Sequence, residues 1–157
     1  MIIIGIDPGS THSGICMVPN LGDIKMPNII RADKVANDKL IQMLETNWAA
    51  GCEIAIEDLV SYTHGRHIDL TQRFIGFIQC KALDCKIAIH SYTRREYGQW
   101  ITAGGKLSDA TLRAGLESIY GASSKKTDPL YKLRGATDKR SAFAIAKYHE
   151  FRISKGG

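Results

Sequence analysis

The sequence predicts an α/β fold in which a mixed sheet is flanked by helices. Strand-like apolar runs with short connections open the chain, and segments with apolar residues at helical spacing dominate its later part. A three-strand antiparallel meander followed by crossover helices and parallel strands gives this layer architecture. With 157 residues, the chain can bury one core. We therefore expect a single domain over residues 1–153 and a flexible tail over residues 154–157.

The first three strands are predicted by apolar and β-branched runs. Residues 1–7 contain no polar side chain before Asp7, which predicts a strand buried on both faces, and the Pro-Gly pair that follows predicts a turn. Residues 11–18 predict a second strand paired with the first through that turn. A third strand is expected within residues 24–32. These strands form the meander.

The later elements are predicted mainly by helical periodicity. Helices are expected over residues 36–50 and 70–83, with strands over residues 52–59 and 86–90. The two apolar stripes consist of Leu40, Ile41, Leu44 and Trp48, and of Leu70, Phe74, Phe77, Ile78 and Ala82. Gly51 is placed to end the first helix. Further helices are expected over residues 94–102 and 108–120, the latter capped by Ser108, and a last one begins near Asp138 with Thr137 as its cap.

Charge is distributed unevenly along the chain. Residues 1–60 contain four Lys/Arg against eight Asp/Glu, whereas residues 61–157 contain seventeen against eight. A basic excess of this kind favours a polyanionic partner, of which nucleic acid is the leading candidate, although a solvated basic surface is the alternative. The sequence shows neither a bilayer-length apolar run nor a signal-peptide pattern, so a cytoplasmic protein without a membrane partner is expected.

The cysteines indicate neither disulfides nor zinc. The four residues, Cys16, Cys52, Cys80 and Cys85, include no Cys-x-x-Cys pair and are expected to be reduced. The spacing of Cys80 and Cys85 relative to His90, like that of His64 relative to His67, fits no closed tetrahedral zinc set.

Three carboxylates are placed where they could meet. Side chains alternate along a strand, so Asp7 shares a face with Gly5, which leaves room beside it, and Glu57 points away from Asp58. If the two strands are neighbours, Asp7 and Glu57 emerge at one edge of the sheet. Asp138 lies in the first turn of the last helix, on a stripe expected to face the sheet. Each acid alone is also compatible with a turn or with a favourable helix-dipole interaction.

Together the three acids predict a magnesium site. Mg²⁺ prefers carboxylate and water oxygens and is commonly completed by substrate phosphate. Two such ions about 3.5–4 Å apart can hold the attacking water and the leaving oxygen of a phosphodiester displacement. We therefore predict that Asp7, Glu57 and Asp138 are metal ligands of a phosphodiester hydrolase.

Three segments resemble the acidic motifs of RuvC-type Holliday junction resolvases, possibly of the shorter phage-like kind, in the same order. They are residues 4–10 (IGIDPGS), 55–57 (AIE) and 138–146 (DKRSAFAIA). The resemblance implies a ribonuclease-H-like fold, a homodimer, and paired incisions of four-way DNA junctions that depend on Mg²⁺ or Mn²⁺. Asp7, Glu57 and Asp138 then form the catalytic set. Ser141, the fourth candidate catalytic residue, offers only a neutral oxygen where bacterial members commonly have an aspartate. The metal site is therefore expected to be weaker, to use a water bound through Ser141, or to borrow another acid.

Candidate DNA contacts lie in the basic part of the chain. Tyr62 could stack on an unpaired base, or it could simply cover the edge of the core. The cationic candidates for phosphate contacts are Arg66, Arg94, Arg95, Lys106, Arg113, Lys125, Lys126, Lys132, Arg134, Lys139 and Arg140. Because phosphate contacts carry no sequence information, recognition is expected to depend on branched shape.

Three other functions are compatible with the sequence. One is a ribonuclease-H-like nuclease that prefers other branched DNA or RNA, and another is a non-catalytic junction-binding module, prompted by Ser141. The third is the sugar-kinase, actin and chaperone ATPase superfamily, because residues 5–11 (GIDPGST) also resemble its first phosphate loop. That fold places nucleotide between two related lobes, for which this chain is too short.

Overall fold

The computed structural model describes residues 1–47, 51–59 and 65–156. Within these ranges the strands are β1 (Ile2–Asp7), β2 (His12–Pro19), β3 (Arg31–Ala36), β4 (Cys52–Asp58) and β5 (Ala88–Thr93). The helices are α1 (Asn37–Asn47), α2 (Arg66–Asp84), α3 (Arg94–Ile101), α4 (Asp109–Tyr120) and α5 (Thr137–Ser154), with a 3₁₀ turn at Tyr131–Leu133. The elements therefore follow one another as three strands, a helix, a strand, a helix, a strand and then the remaining helices. This is the order that the sequence pattern predicts, apart from the shifts described below.

The strands form one mixed sheet in the order β3-β2-β1-β4-β5. The pairs β1/β2 and β2/β3 are antiparallel, whereas β1/β4 and β4/β5 are parallel. The predicted fold class, an antiparallel meander extended by parallel strands, is confirmed. Strand β1 lies at the centre of the sheet. Its carboxyl end therefore lies between the start of the antiparallel strand β2 and the end of the parallel strand β4.

Each face of the sheet is covered by its own set of helices. Ile4, Ile6 and Ile56 pack with α1 and α2 on one face. Ile3 and Ala55 pack with α3, α4 and α5 on the other. The alternation predicted from the sequence is thus confirmed, and it places Asp7 and Glu57 on the face covered by α5.

Helix α5 lies unusually close to the sheet because two glycines are present beneath it. A Cβ atom at Gly5 would lie 1.9 Å from the carbonyl oxygen of Ala142, and one at Gly14 would lie 2.2 Å from that of Asp138. Neither distance is possible for a real side chain. The room at Gly5, expected beside Asp7, is therefore occupied by the backbone of α5.

The third strand was predicted at the wrong place. It spans Arg31–Ala36, whereas residues 24–30 lie outside regular secondary structure and include Asn28 with a φ of 41°. As an edge strand, β3 has Val35 as its one fully buried side chain. Its polar sequence therefore lacks the apolar signal on which strand prediction depends.

The second helix and the fifth strand also differ from the prediction. Helix α2 begins four residues earlier, so Arg66 belongs to its first turn. Its buried residues are Thr71, Ile75, Ile78 and Ala82, whereas Leu70 and Phe77 are exposed. Strand β5 begins at Ala88 because the turn after α2 continues through Lys86, which has a φ of 56°.

The ends of the other helices were predicted more closely. Ser108 caps α4 with a reciprocal hydrogen-bond pair to Thr111, as expected. Thr137 does not cap α5, because Ala136 occupies that position without a side-chain bond. The predicted stripe on α5, which consists of Asp138, Ser141, Ala142, Ile145 and His149, was too narrow, since every residue from Ser141 to Glu150 is buried. Helix α1 is described to Asn47, and Trp48 lies outside the described residues.

Two findings concern the remaining expectations. All four cysteines are free. No helix within the described ranges combines the length and the apolar character needed to cross a membrane. The division into a domain over residues 1–153 and a tail stays a prediction, and α5 includes Ser154.

Candidate active site

The ends of β1 and β4 bring two of the predicted acids together. These strands pair in parallel with Ile6 opposite Ile56, so Asp7 and Glu57 follow at the same level and on the same face. The Glu57 side chain lies in the interior, with 4% of the residue exposed, and its Oε2 accepts a hydrogen bond of 2.6 Å from the Tyr97 hydroxyl. Asp58 is exposed, as alternation predicts.

The third acid reaches this edge through helix α5. Gly14 pairs with Asp7 across β1 and β2, and the backbone of Asp138 passes directly over it. A glycine at this register position therefore permits the first turn of α5 to approach the end of β1. One turn further on, Ser141 is fully buried.

The charges of the site act most strongly on Asp7. Burial, together with repulsion from the carboxylates of Glu57 and Asp138, raises the pKa of Asp7 to about 7, while Arg94 and the Ser141 hydroxyl act in the opposite direction. Burial also raises the pKa of Glu57, against the effects of the Tyr97 hydrogen bond and of Arg94. Glu57 and Asp138 thus both lie close enough to Asp7 to destabilise its charged form.

Two cations accompany the acids. Lys34 on β3 forms an ion pair of 2.6 Å with Asp138 Oδ2, and this hydrogen bond raises the pKa of Lys34. Arg94 lies near Asp7 and Glu57 and bonds Asp109 at 3.3 Å. The sequence predicts Arg94 as a DNA contact, which stays a prediction, and gives no role to Lys34, which follows the segment predicted as the third strand.

A small polar network fixes the turn that follows Asp7. The side chain of Asn37 donates to the carbonyl oxygen of Gly9 at 2.9 Å and accepts from the Ser13 hydroxyl at 2.8 Å. The amide of Gly9 donates in turn to the Ser13 hydroxyl at 3.3 Å. The start of α1 therefore holds the β1–β2 turn, and with it the end of β1.

The oxygen donors at this edge are of the type that a hard divalent cation prefers. Three carboxylates cluster at the edge, and the Ser141 Oγ is buried without a partner at hydrogen-bonding geometry among the described residues. In the described part of the chain, however, these acids do not form a group with all ligand atoms within 4.8 Å. Lys34 and Tyr97 each bind one of the carboxylates. A cation at this edge must therefore compete with Lys34 for Asp138.

A second group could also hold a metal ion. Glu53, His90 and His149 have ligand atoms that all lie within 4.8 Å of one another. This group was not predicted, because its members come from three distant segments and no motif connects them.

The predicted DNA-binding residues differ in their surroundings. Arg94 and Arg95 line a cavity of about 440 Å³ together with Glu57, and with Lys106 they line a neighbouring one of about 330 Å³. Others have intramolecular partners: Lys132 bonds the carbonyl of Ile29, and Lys139 bonds that of Lys132.

The remaining basic candidates are exposed or half-buried. Arg113 pairs with Glu117, Arg134 donates to the Ser124 carbonyl, and Arg140 lies beside the Glu117 carboxylate. Arg66, Lys125 and Lys126 are exposed. Tyr62 lies outside the described residues.

Comparison with known proteins identifies the fold. No protein-family model and no curated protein sequence matches the chain. It is similar to Thermus thermophilus RuvC in complex with a Holliday junction substrate, with a TM-score of 0.76 and 19% identity over 99% of this chain and 96% of that chain. A second Thermus thermophilus RuvC structure gives a TM-score of 0.71 and 18% identity, covering 99% and 97%. The chain therefore has the RuvC-type, ribonuclease-H-like fold.

Proposed function

We propose that the protein is a structure-selective, divalent-metal-dependent endonuclease that resolves four-way DNA junctions by paired phosphodiester hydrolysis. The observation that supports this most directly is the convergence of Asp7, Glu57 and Asp138 at one edge of a RuvC-type sheet. A protein with the same fold has been captured in complex with a Holliday junction substrate. Because the activity requires access to DNA, we expect it in the cytoplasm.

The residues of the site have distinct roles in this proposal. Asp7, Glu57 and Asp138 would hold Mg²⁺, or Mn²⁺ in its place, which supplies charge neutralisation and an activated water for hydrolysis. Tyr97 orients the Glu57 carboxylate through its hydrogen bond. Lys34 neutralises Asp138 and must yield this carboxylate when a cation binds. Ser141 offers a buried neutral oxygen beside Asp7.

The surface beside the acids supports binding of a DNA backbone. Arg94, Arg95 and Lys106 line adjoining cavities next to Glu57, so a phosphate bound there lies near the acids. We assign phosphate contacts first to these three, since Lys132 and Lys139 already bond backbone carbonyls. Such contacts position a strand without reading its sequence, which suits recognition of a branched shape.

A homodimer is part of the same proposal. Leu70 and Phe77 lie on one side of α2, are 39% and 43% exposed, and flank the half-buried Phe74. An exposed apolar stripe on a helix is typical of a surface that a partner covers. We propose that α2 of a second copy packs against it, so that two sites act on one junction.

The decisive experiment is cleavage of a synthetic four-way junction by the Asp7→Asn variant. This change keeps the size of the side chain and removes its charge, so incision should fall on the order of a thousandfold or more while junction binding is retained. Asp84→Asn is the matched control, because Asp84 is exposed at the far end of α2 and should cut like the wild type. Undiminished metal-dependent cutting by Asp7→Asn would refute the proposal.

A substrate comparison separates the proposal from its alternatives. Four-way, forked and linear DNA and an RNA–DNA hybrid would be compared at matched salt, since phosphate contacts make affinity salt-dependent. Preference for the four-way junction supports a resolvase, and preference for a fork or a hybrid indicates another nuclease of this fold. Tight junction binding without incision in Mg²⁺ or Mn²⁺ indicates a non-catalytic binding module.

A further inference from the structure

Three side chains that could bind a metal converge near the start of β4, at the end of this strand opposite to Glu57. Glu53 lies on the same face of β4 as Glu57 but four residues earlier, which separates the two by about 13 Å along the strand. His90 comes from β5 and His149 from the later part of α5. Since α5 begins at the acidic edge and runs away from it, its two ends serve two separate clusters.

The potential ligand atoms of this cluster all lie within 4.8 Å of one another. Glu53 Oε2 lies 2.9 Å from His149 Nε2 and 3.6 Å from His90 Nε2. Tetrahedral zinc with bonds of about 2.0–2.1 Å separates neighbouring ligand atoms by about 3.3 Å, between these two values. The two imidazole rings are 4.4 Å apart, tilted by 33°. Little movement is needed for all three ligands to close around one ion.

The far side of His149 is held as it is in many metal sites. Its Nδ1 lies 2.7 Å from the buried hydroxyl of Tyr92. A metal-binding histidine usually has its other ring nitrogen fixed by a hydrogen bond, which sets the tautomer and the ring orientation. In the metal-free protein Nε2–H donates to the Glu53 carboxylate and the Tyr92 hydroxyl donates to Nδ1. With an ion at Nε2, the ring would instead carry its proton on Nδ1 and donate it to the Tyr92 oxygen.

We propose that Glu53, His90 and His149 form a binding site for Zn²⁺, separate from the site formed by Asp7, Glu57 and Asp138. Two imidazoles and one carboxylate suit zinc better than Mg²⁺, which prefers oxygen ligands alone. A cavity of about 490 Å³, lined by both histidines, Tyr92 and Glu96, leaves room for a water as fourth ligand. The ion would bind residues of β4, of the edge strand β5 and of α5, and would thereby link this edge of the sheet to α5.

The test is zinc binding by the metal-free protein, with ZnCl₂ as the probe and Mg²⁺ in excess to saturate oxygen-only sites. Calorimetry should show one ion per chain for the wild type. His90→Gln removes a ligand whose side chain is 45% exposed, so the variant should fold and bind zinc at least about tenfold more weakly. Tyr92→Phe should weaken binding by about tenfold as well, because it frees the His149 ring.

Two control variants test whether zinc binding depends on this cluster and not on other residues of the chain. His67→Gln removes an exposed histidine outside the cluster and should bind zinc like the wild type. Asp7→Asn should also bind like the wild type, whether or not the protein is a nuclease, so the two proposals can fail separately. Cobalt substitution gives a second readout, since a tetrahedral nitrogen and oxygen site produces visible absorption bands that His90→Gln should lose. Equal zinc affinity of His90→Gln and wild type, or no zinc binding by the wild type, would overturn the proposal.

Discussion

Burial of the charged Asp7 carboxylate lowers the free energy of unfolding of the metal-free protein, and the size of this effect depends on pH. Its pKa rises from 3.8 to about 7 on folding, so between these values the folded state holds a proton that the unfolded state has released. Stability therefore falls as pH rises through this window. The full shift corresponds to at most about 4 kcal/mol.

Asp7→Asn should remove that effect. In the presence of EDTA we expect the variant to unfold at a higher urea concentration than the wild type near about pH 8, where Asp7 is charged in the folded state. Near about pH 5, which lies inside the window, the gain should be less than half as large. Urea unfolding followed by circular dichroism at both pH values measures the difference. An equal gain at both would mean that the charge of Asp7 is not the cause.

The acids of the site could be predicted from sequence, but their partners could not. Alternation along two strands is a local property, so the placement of Asp7 and Glu57 followed from their neighbours in the chain. Lys34 and Tyr97 reach the acids only when β3 and α3 pack. Neither belongs to a motif, and the roles of all these residues in cleavage stay predictions until they are tested.

The approach of α5 to the sheet depends on Gly5, and Gly5→Ala tests this directly. A Cβ atom there would meet the Ala142 carbonyl oxygen at 1.9 Å and the Ala146 Cβ at 2.9 Å, so the helix must move away from β1. We expect a loss of about 3 kcal/mol in the free energy of unfolding. Urea unfolding gives the value.

Gly76→Ala is the matched control for this experiment. Gly76 lies inside α2, and a Cβ atom there would have no atom within 4 Å. Alanine is the better helix former by about 1 kcal/mol, so this variant should be as stable as the wild type or more so. A similar loss in both variants would show that the effect comes from the glycine backbone and not from the contact with α5.

Helix α5 also shows why periodicity predicted some elements better than others. Its residues from Ser141 to Glu150 are all buried, including the Lys147–Glu150 ion pair, so no polar face exists to define a stripe. Strand β3 presents the opposite case, since it is polar and lies at the edge. Amphipathic elements such as α4 give the clearest pattern, and there the cap at Ser108 was predicted correctly.

The order of the elements predicted the whole fold even where individual boundaries were wrong. Short connections between the first strands allow only antiparallel pairing, and a helix between β4 and β5 leads to a parallel pair. A shift of β3 by several residues does not change that topology. The proposed assembly of two copies could not be predicted in this way, because the apolar stripe on α2 is compatible both with burial in the core and with burial by a partner.

The exposed residue Phe77 of that stripe allows the proposed dimer interface to be tested by substitution. Phe77 is 43% exposed and lies beneath Lys81, whose ammonium group is 5.9 Å from the ring centre. Phe77→Glu would place an acid four residues before this lysine, which is favourable in an isolated helix, so the 17.3 kDa chain should stay folded. A charge buried in an apolar dimer interface should weaken dimerisation by at least about tenfold.

Ile119→Glu provides the comparison that makes this result interpretable. Ile119 is 41% exposed and lies on α4, across the sheet from α2. Sedimentation equilibrium should give a dimer for the wild type and for Ile119→Glu, and mainly a monomer for Phe77→Glu at the same concentration. Because paired incision needs two sites on one junction, the Phe77→Glu monomer should also release more singly nicked junction than the wild type. Loss of the dimer in Ile119→Glu alone would instead place the interface on the face covered by α4.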